Sequence, residues 1–357
     1  MPEQRVIKQR VIEQMTAAVL YGKEDLQIET VDVPSIGAGD ALVRVRAALT
    51  CGTDVKVFKR GYHARMIVPP ALFGHELAGD IVALGKNVRG FKIGDRVMAA
   101  NSAPCGVCFY CQRDQENLCE DLLFNNGAYA EYIRIPERIV RRNLHVMDTH
   151  IGYQDAALAE PLACVLRGLE ESNLRPGDTI AIIGLGPIGM MFVRLAKAMY
   201  GARVIALGRR KAQLERATRM GADEVILNED KADVVSEVKR LTGGRGADVV
   251  VEAVGLPELW QLATHIIRRG GVVNFFGGCA TGTEVLLDTQ LLHYSEITCK
   301  ASFHHTPALI RKALDVIGRG YVTAKDLVNN VEPLANLLEV MQHLMSHNGH
   351  LKTAIIP

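Results

Sequence analysis

The chain has 357 residues, 48% of them hydrophobic and 23% charged, with a formal net charge of +1. That length exceeds one ordinary core and suits two domains of a globular protein. The balanced charge offers no broad grip on nucleic acid or acidic lipid, no apolar run approaches the roughly 20 residues of a membrane span, and MPEQRVIKQRVIEQ has no signal-peptide core, so the expected location is cytoplasmic.

Residues 1–14 read as an N-terminal extension in which Val6, Ile7, Val11 and Ile12 suit one short helical stripe. Strand-like sequence begins at Met15, and from Ala17 to about Pro136 short β-type runs are broken by Gly and Pro. ALVRVRAALT (41–50), LAGDIVALG (77–85) and DRVMAA (95–100) are examples, a pattern of an irregular barrel. After Pro176 the pattern changes. TIAIIGLG (179–186), RVIALG (203–208), EVILN (224–228), ADVVVEAVG (247–255) and GVVNFFGG (271–278) are apolar runs. They alternate with helical stretches at 187–201, 210–221, 231–243 and near 257–269, which predicts a doubly wound parallel sheet. Past residue 300 the alternation fades, and HLKTAIIP reads as a closing strand. The strand GVVNFFGG and the LLHYSEI stretch are candidates for a subunit interface.

Gly184, Gly186 and Gly189, with Pro187 and Ile188 between, form G-x-G-x-x-G between the first of these strands and its helix. The three glycines serve a tight turn, close approach of backbone to a pyrophosphate, and close helix–strand packing. The helix N-terminus adds free N–H groups for the phosphates. Twenty residues on, where a carboxylate would bind the ribose of NAD, stand Gly208, Arg209 and Arg210. Two guanidiniums and no carboxylate favour NADP, with NAD the alternative.

There are eight cysteines, and four of them, Cys105, Cys108, Cys111 and Cys119, fall within 15 residues. C-x2-C-x2-C-x7-C supplies four thiolates for a closed tetrahedral zinc, hence a structural one. An iron–sulfur cluster or a redox switch is the other use of such a lobe, distinguishable by colour. A nucleic-acid zinc finger lacks the basic face that it needs. Cys51-Gly52-Thr53-Asp54 and Gly74-His75-Glu76 form a second metal candidate, in which a third protein ligand leaves the fourth position for water or substrate.

In order, CGTD, GHE, the four-cysteine lobe, EPLAC and GLGPIG resemble the zinc-dependent medium-chain alcohol dehydrogenases, over almost the whole chain from Met15. GHE and EPLAC are most similar to the polyol (sorbitol-like) and threonine dehydrogenase branch. The resemblance implies an α/β architecture: a GroES-like irregular β-barrel catalytic domain of residues 15–165 and 301–357, carrying the zinc lobe 101–121, and a Rossmann domain of residues 166–300. It implies two zinc ions per chain. Cys51, His75 and Glu160 hold the catalytic one, and Glu76 is a further or alternating ligand. Thr53 accepts the alcohol proton, and Asp54 supports His75. The implied reaction is hydride transfer between NAD(P) and a secondary alcohol or ketone, a polyol or sugar, via a zinc-bound alkoxide. Homodimers or homotetramers are usual for the family.

Two positions depart from the family pattern. Many relatives carry a histidine two residues after the aspartate of CGTD, where this chain has Lys56. The polyol enzymes carry an Arg-Tyr pair where this chain has Phe303-His304-His305, with His304 and His305 candidates to line the substrate pocket. Threonine 3-dehydrogenase activity is a sibling reading. A zinc-free reductase is disfavoured because Cys51, His75 and Glu160 are all present, and a silent cofactor-binding relative would not need Thr53.

Overall fold

The computed structural model describes residues 13–63, 65–228, 231–346 and 351–357. The expected stripe of Val6, Ile7, Val11 and Ile12 lies outside the described residues.

The strand Ala41–Leu49 organises the first half. Its alternation buries Val43, Val45 and Ala47 and exposes Arg44 and Arg46, the period of a half-buried strand. It pairs antiparallel with Glu76–Leu84, with Tyr132–Ile135 and with Lys352–Ile356. The last of these also pairs parallel with Val328–Pro333, so residues 352–356 close a mixed seven-stranded sheet opened some 300 positions earlier. Gln14–Gly22 and Asp25–Asp32 form a hairpin of a second, three-stranded sheet.

The second half is one six-stranded parallel sheet. Its spatial order is Glu224–Leu227, Arg203–Gly208, Thr179–Ile183, Ala247–Glu252, Ile267–Phe275, Thr298–Ala301. The strands read as unbroken apolar runs because helices cover both faces. Chain order reverses between Thr179–Ile183 and Ala247–Glu252, and a ligand crevice opens at such a switch point, beyond the carboxyl ends of the strands. Ile267–Phe275 is paired on both sides, so GVVNFFGG offers no free edge; Tyr294, within LLHYSEI, is exposed.

The helix Ala159–Glu171 joins the two halves. Leu162, Val165, Leu166 and Leu169 share a core with Leu49 and Met98 of the mixed sheet and with Ile180, Ile182 and Val251 of the parallel one. A boundary drawn at 165/166 falls inside this helix.

Two glycines are imposed by the turn after Thr179–Ile183. Gly184 sits at φ +97°, and a Cβ on Gly189 would lie 1.8 Å from the carbonyl oxygen of Gly184. Gly189→Ala therefore costs roughly 3 kcal/mol or more of stability, seen as a lower urea midpoint. Gly186→Ala, with no atom within 4 Å of the added carbon, leaves that midpoint almost unchanged.

Candidate active site and metal centres

The register of the mixed sheet brings CGTD and GHE together. Leu49 pairs with Glu76, so the chain leaving one strand meets the chain entering its neighbour. Cys51 then caps the helix Gly52–Arg60, its sulfur accepting from the Thr53 N–H at 3.5 Å, while its own N–H donates to Asp54 Oδ2 at 3.1 Å. Thr53 is half-buried on this first turn.

Asp54 is buried and fully engaged. Oδ1 lies 2.8 Å from His75 Nδ1, and Oδ2 accepts from the Tyr129 hydroxyl at 2.6 Å. That contact fixes the ring and its tautomer and leaves Nε2 free to coordinate. Burial opposes charge on His75, but the Asp54 carboxylate outweighs it and lifts the ring well above its ordinary pKa. Donor atoms of Cys51, His75 and Glu76 all lie within 4.8 Å of one another. Sulfur, imidazole nitrogen and carboxylate oxygen are zinc donors, so this set fits the ion.

Glu76 also has a partner that the sequence motifs do not point to. Lys352 Nζ donates to both of its carboxylate oxygens, at 2.6 and 2.8 Å, and to the carbonyl of Thr50 at 2.9 Å. Burial opposes the ammonium, yet Glu76 holds it charged, above its ordinary value. The one sequence signal is a lysine in the apolar closing strand, since a buried lysine needs a counter-ion.

Glu160 faces the same cleft, within electrostatic reach of His75 and Glu76. It is buried on the helix Ala159–Glu171, and it groups with Cys164 and His304 rather than with the set containing Glu76. Burial lifts its carboxyl to about 7, with His75 pulling the other way. Its neighbour His305 is 3.6 Å away through Nε2, which also contacts Asn101 Oδ1 at 3.1 Å. His304 Nε2 lies 2.6 Å from Ser102 Oγ. Both histidines of the Phe303-His304-His305 segment therefore stand beside Glu160 or its partners. Lys56 is exposed and within electrostatic reach of Glu252, at the end of a central strand of the parallel sheet; burial raises that carboxyl to about 7 and Lys56 opposes the rise.

The four-cysteine lobe is compact. Cys105 Sγ lies 3.9 Å from Cys111 Sγ, and Cys108 Sγ 3.9 Å from Cys119 Sγ. A tetrahedron with zinc–sulfur bonds of about 2.3 Å has edges of about 3.8 Å, so the sulfurs stand where a closed zinc site needs them. Backbone N–H groups of Gly106, Val107 and Cys108 point at the sulfurs of Cys111 and Cys105, which stabilises thiolate. All eight cysteines are free of disulfides.

At the switch point of the parallel sheet, Gly186 caps the helix Pro187–Tyr200 and a Cβ there would meet nothing. The turn Gly184, Gly186, Pro187, Ile188, Gly189 thus leads into a helix N-terminus with open space at Gly186, a place suited to an anion. Gly208 ends the neighbouring strand, with Arg209 exposed just beyond and Arg210 starting the next helix. No described helix is long and apolar enough to cross a membrane.

Comparison with known proteins agrees with this arrangement. Residues 37–143 match the alcohol dehydrogenase GroES-like domain, and residues 187–319 the zinc-binding dehydrogenase. The sorbitol dehydrogenase of Bacillus subtilis is 33% identical over 97% of this chain and 98% of its own. An L-threonine 3-dehydrogenase of Caldanaerobacter subterraneus is 36% identical over 74% of this chain and 76% of its own. A Sinorhizobium meliloti protein described as a zinc-binding dehydrogenase, solved bound to NADP, superposes with a TM-score of 0.86 at 27% identity, covering 96% of this chain and 99% of that one.

Lys352→Met strands the Glu76 carboxylate without a cation. The expected loss of stability is about 3–5 kcal/mol, read from the shift in denaturation midpoint. Lys352→Arg loses less, and adding Glu76→Gln to Lys352→Met recovers much of the deficit.

Proposed function

The chain belongs to the zinc-dependent medium-chain alcohol dehydrogenases, oxidoreductases that use zinc and a nicotinamide cofactor, and on that premise we propose that it oxidises the secondary hydroxyl of a polyol or sugar, with NADP as the preferred hydride acceptor. The observation that carries this reading is the trio of half-buried Cys51 with buried His75 and Glu76, one ring nitrogen of His75 being already committed to Asp54. Polyol specificity has support in the sorbitol dehydrogenase of Bacillus subtilis, at 33% identity over nearly full length. Threonine 3-dehydrogenase activity is the second reading, supported by a relative of that name at 36% identity over a shorter span.

In this proposal Cys51, His75 and Glu160 would hold the catalytic zinc, with Glu76 as a further or alternating carboxylate ligand. When bound, the ion acts as a Lewis acid on the alcohol, as it does on water, whose pKa falls to about 7 on zinc. The hydroxyl of Thr53, on the first turn after Cys51, accepts the alcohol proton and hands it on. Asp54 fixes the His75 ring, and Tyr129 fixes Asp54. Lys352 neutralises Glu76 while that carboxylate faces inward. The glycine turn and the N-terminus of the helix Pro187–Tyr200 hold the pyrophosphate, and Arg209 and Arg210 face the adenosine phosphate. The four cysteines hold a second, structural zinc. Residues 15–165 with 301–357 then act as catalytic domain and 166–300 as cofactor domain, and closure of the cleft excludes water.

The direct test is initial-rate reduction of NADP and NAD across polyols, aldoses, threonine and simple secondary alcohols, with and without a strong chelator. Chelator-sensitive activity on polyols with NADP is expected; selective activity on threonine would replace the first reading with the second. Thr53→Ala should lower kcat by roughly 10²- to 10⁴-fold, the usual contribution of a positioned proton acceptor, with folding and zinc content unchanged. Arg209→Ala should raise KM for NADP by about 10- to 100-fold, the worth of hydrogen bonds to a charged group, and leave KM for NAD in place.

A further inference from the structure

A second group of donors stands in the same cleft, made of Glu160 and two residues, Cys164 and His304, that have no task in the mechanism above. Glu160 and Cys164 are four residues apart on the helix Ala159–Glu171, one turn above the other on one face. His304 comes from the segment between the strand Thr298–Ala301 and the helix Pro307–Gly318. A carboxylate oxygen, a sulfur and a ring nitrogen of these three residues all lie within 4.8 Å of one another. Donors on one tetrahedral zinc are about 3.3–3.8 Å apart, so closure on an ion needs a shift of an ångström or so.

Three further observations point to a ligand. The Glu160 carboxylate is buried, and among the described residues no hydrogen bond reaches it; the nearest ring nitrogen, His305 Nε2, stands 3.6 Å away and burial keeps that ring neutral. Buried carboxylates are ordinarily hydrogen-bonded. Cys164 and His304 are half-buried. His304 is also held in a conformation that non-glycine residues rarely adopt, φ +64°. Its ring is tied to Ser102 Oγ at 2.6 Å, and the preceding carbonyl, of Phe303, accepts from Asn117 Nδ2 at 3.0 Å. Strain of this kind persists where the surroundings over-determine it. Here the surroundings are the base of the four-cysteine lobe.

We propose that Glu160, Cys164 and His304 form a second divalent-metal position in the cleft, beside that of Cys51 and His75. Mixed oxygen, sulfur and nitrogen donors select zinc, cobalt or cadmium over magnesium or calcium. The inference rests on the reading in which Cys51 and His75 hold the catalytic ion, and it adds a neighbouring position that competes for Glu160. Excess metal then draws Glu160 away from that ion and inhibits turnover.

The test starts from holoenzyme with two ions per chain, titrated with cobalt(II) or cadmium(II). Ion count is read by native mass spectrometry, and thiolate ligation by its charge-transfer absorption. A third ion per chain with a new thiolate band is expected. Its affinity should fall at least tenfold in Cys164→Ser and in His304→Gln, both still carrying two ions and melting like the parent. Exposed Cys299 is the control, and Cys299→Ser should bind as the parent does. A count that stops at two overturns the proposal, as does a third ion that both variants retain. Failure of the underlying reading looks different: as-isolated protein would hold one ion, and Cys51→Ser would not change its count.

Discussion

Asp54, His75, Glu76 and Lys352 are all buried, and the cleft depends on matching their charges at contact distance. An unpaired charge in such a place costs several kcal/mol or changes protonation state. Here Asp54 takes contacts from the Cys51 N–H, the Tyr129 hydroxyl and the His75 ring, and Glu76 takes both of its bonds from Lys352. The result is a floor with ring and sulfur already oriented. A metal ion entering it meets donors that need little reorganisation.

The donors come from distant stretches of chain, and the mixed sheet makes them neighbours. Strand register sets CGTD against GHE, and the closing strand sets Lys352 behind both. The helix Ala159–Glu171 then does two jobs. Its apolar face is shared by the cores of both sheets, and its first turn and a half presents Glu160 and Cys164 to the cleft. Movement of one sheet against the other would therefore carry Glu160 relative to Cys51. The four-cysteine lobe acts at a distance too, because Asn117 within it holds the loop that carries His304.

Much of this architecture is legible in the amino-acid sequence alone. Apolar runs alternating with helical stretches indicate the parallel sheet, because strands covered on both faces carry no polar alternation. Glycine spacing locates the turn at 184–189, since only glycine tolerates that contact geometry. Cysteine spacing locates the lobe. What stays hidden is long-range partnership. Lys352 reads locally as one polar residue in a terminal strand, and only the pairing of that strand with Ala41–Leu49 brings it under Glu76. Family pattern assigns Glu160 to the same ion as Cys51 and His75, and the fold sets it within reach of His75 and Glu76 and also beside Cys164 and His304. Their i, i+4 spacing within EPLAC is visible, but the histidine that completes the group arrives from 140 positions further on. GVVNFFGG, as an apolar run, reads as available to a partner; its neighbours on both sides already occupy its edges.

The position of Lys352 has a consequence for biosynthesis. A ribosome that has emitted the chain through CGTD and GHE has made Cys51, His75 and Glu76, yet the counter-ion of Glu76 is still some 276 residues from being translated. Until then that carboxylate must stay hydrated, and the sheet edge along Ala41–Leu49 that will receive residues 352–356 stays open. Completion of the metal floor is thus a late event of folding, governed by a contact of very high sequence separation, the kind that forms slowly. A chaperone that shields the waiting edge, or a supply of zinc before translation ends, would act on this interval and not on the finished enzyme.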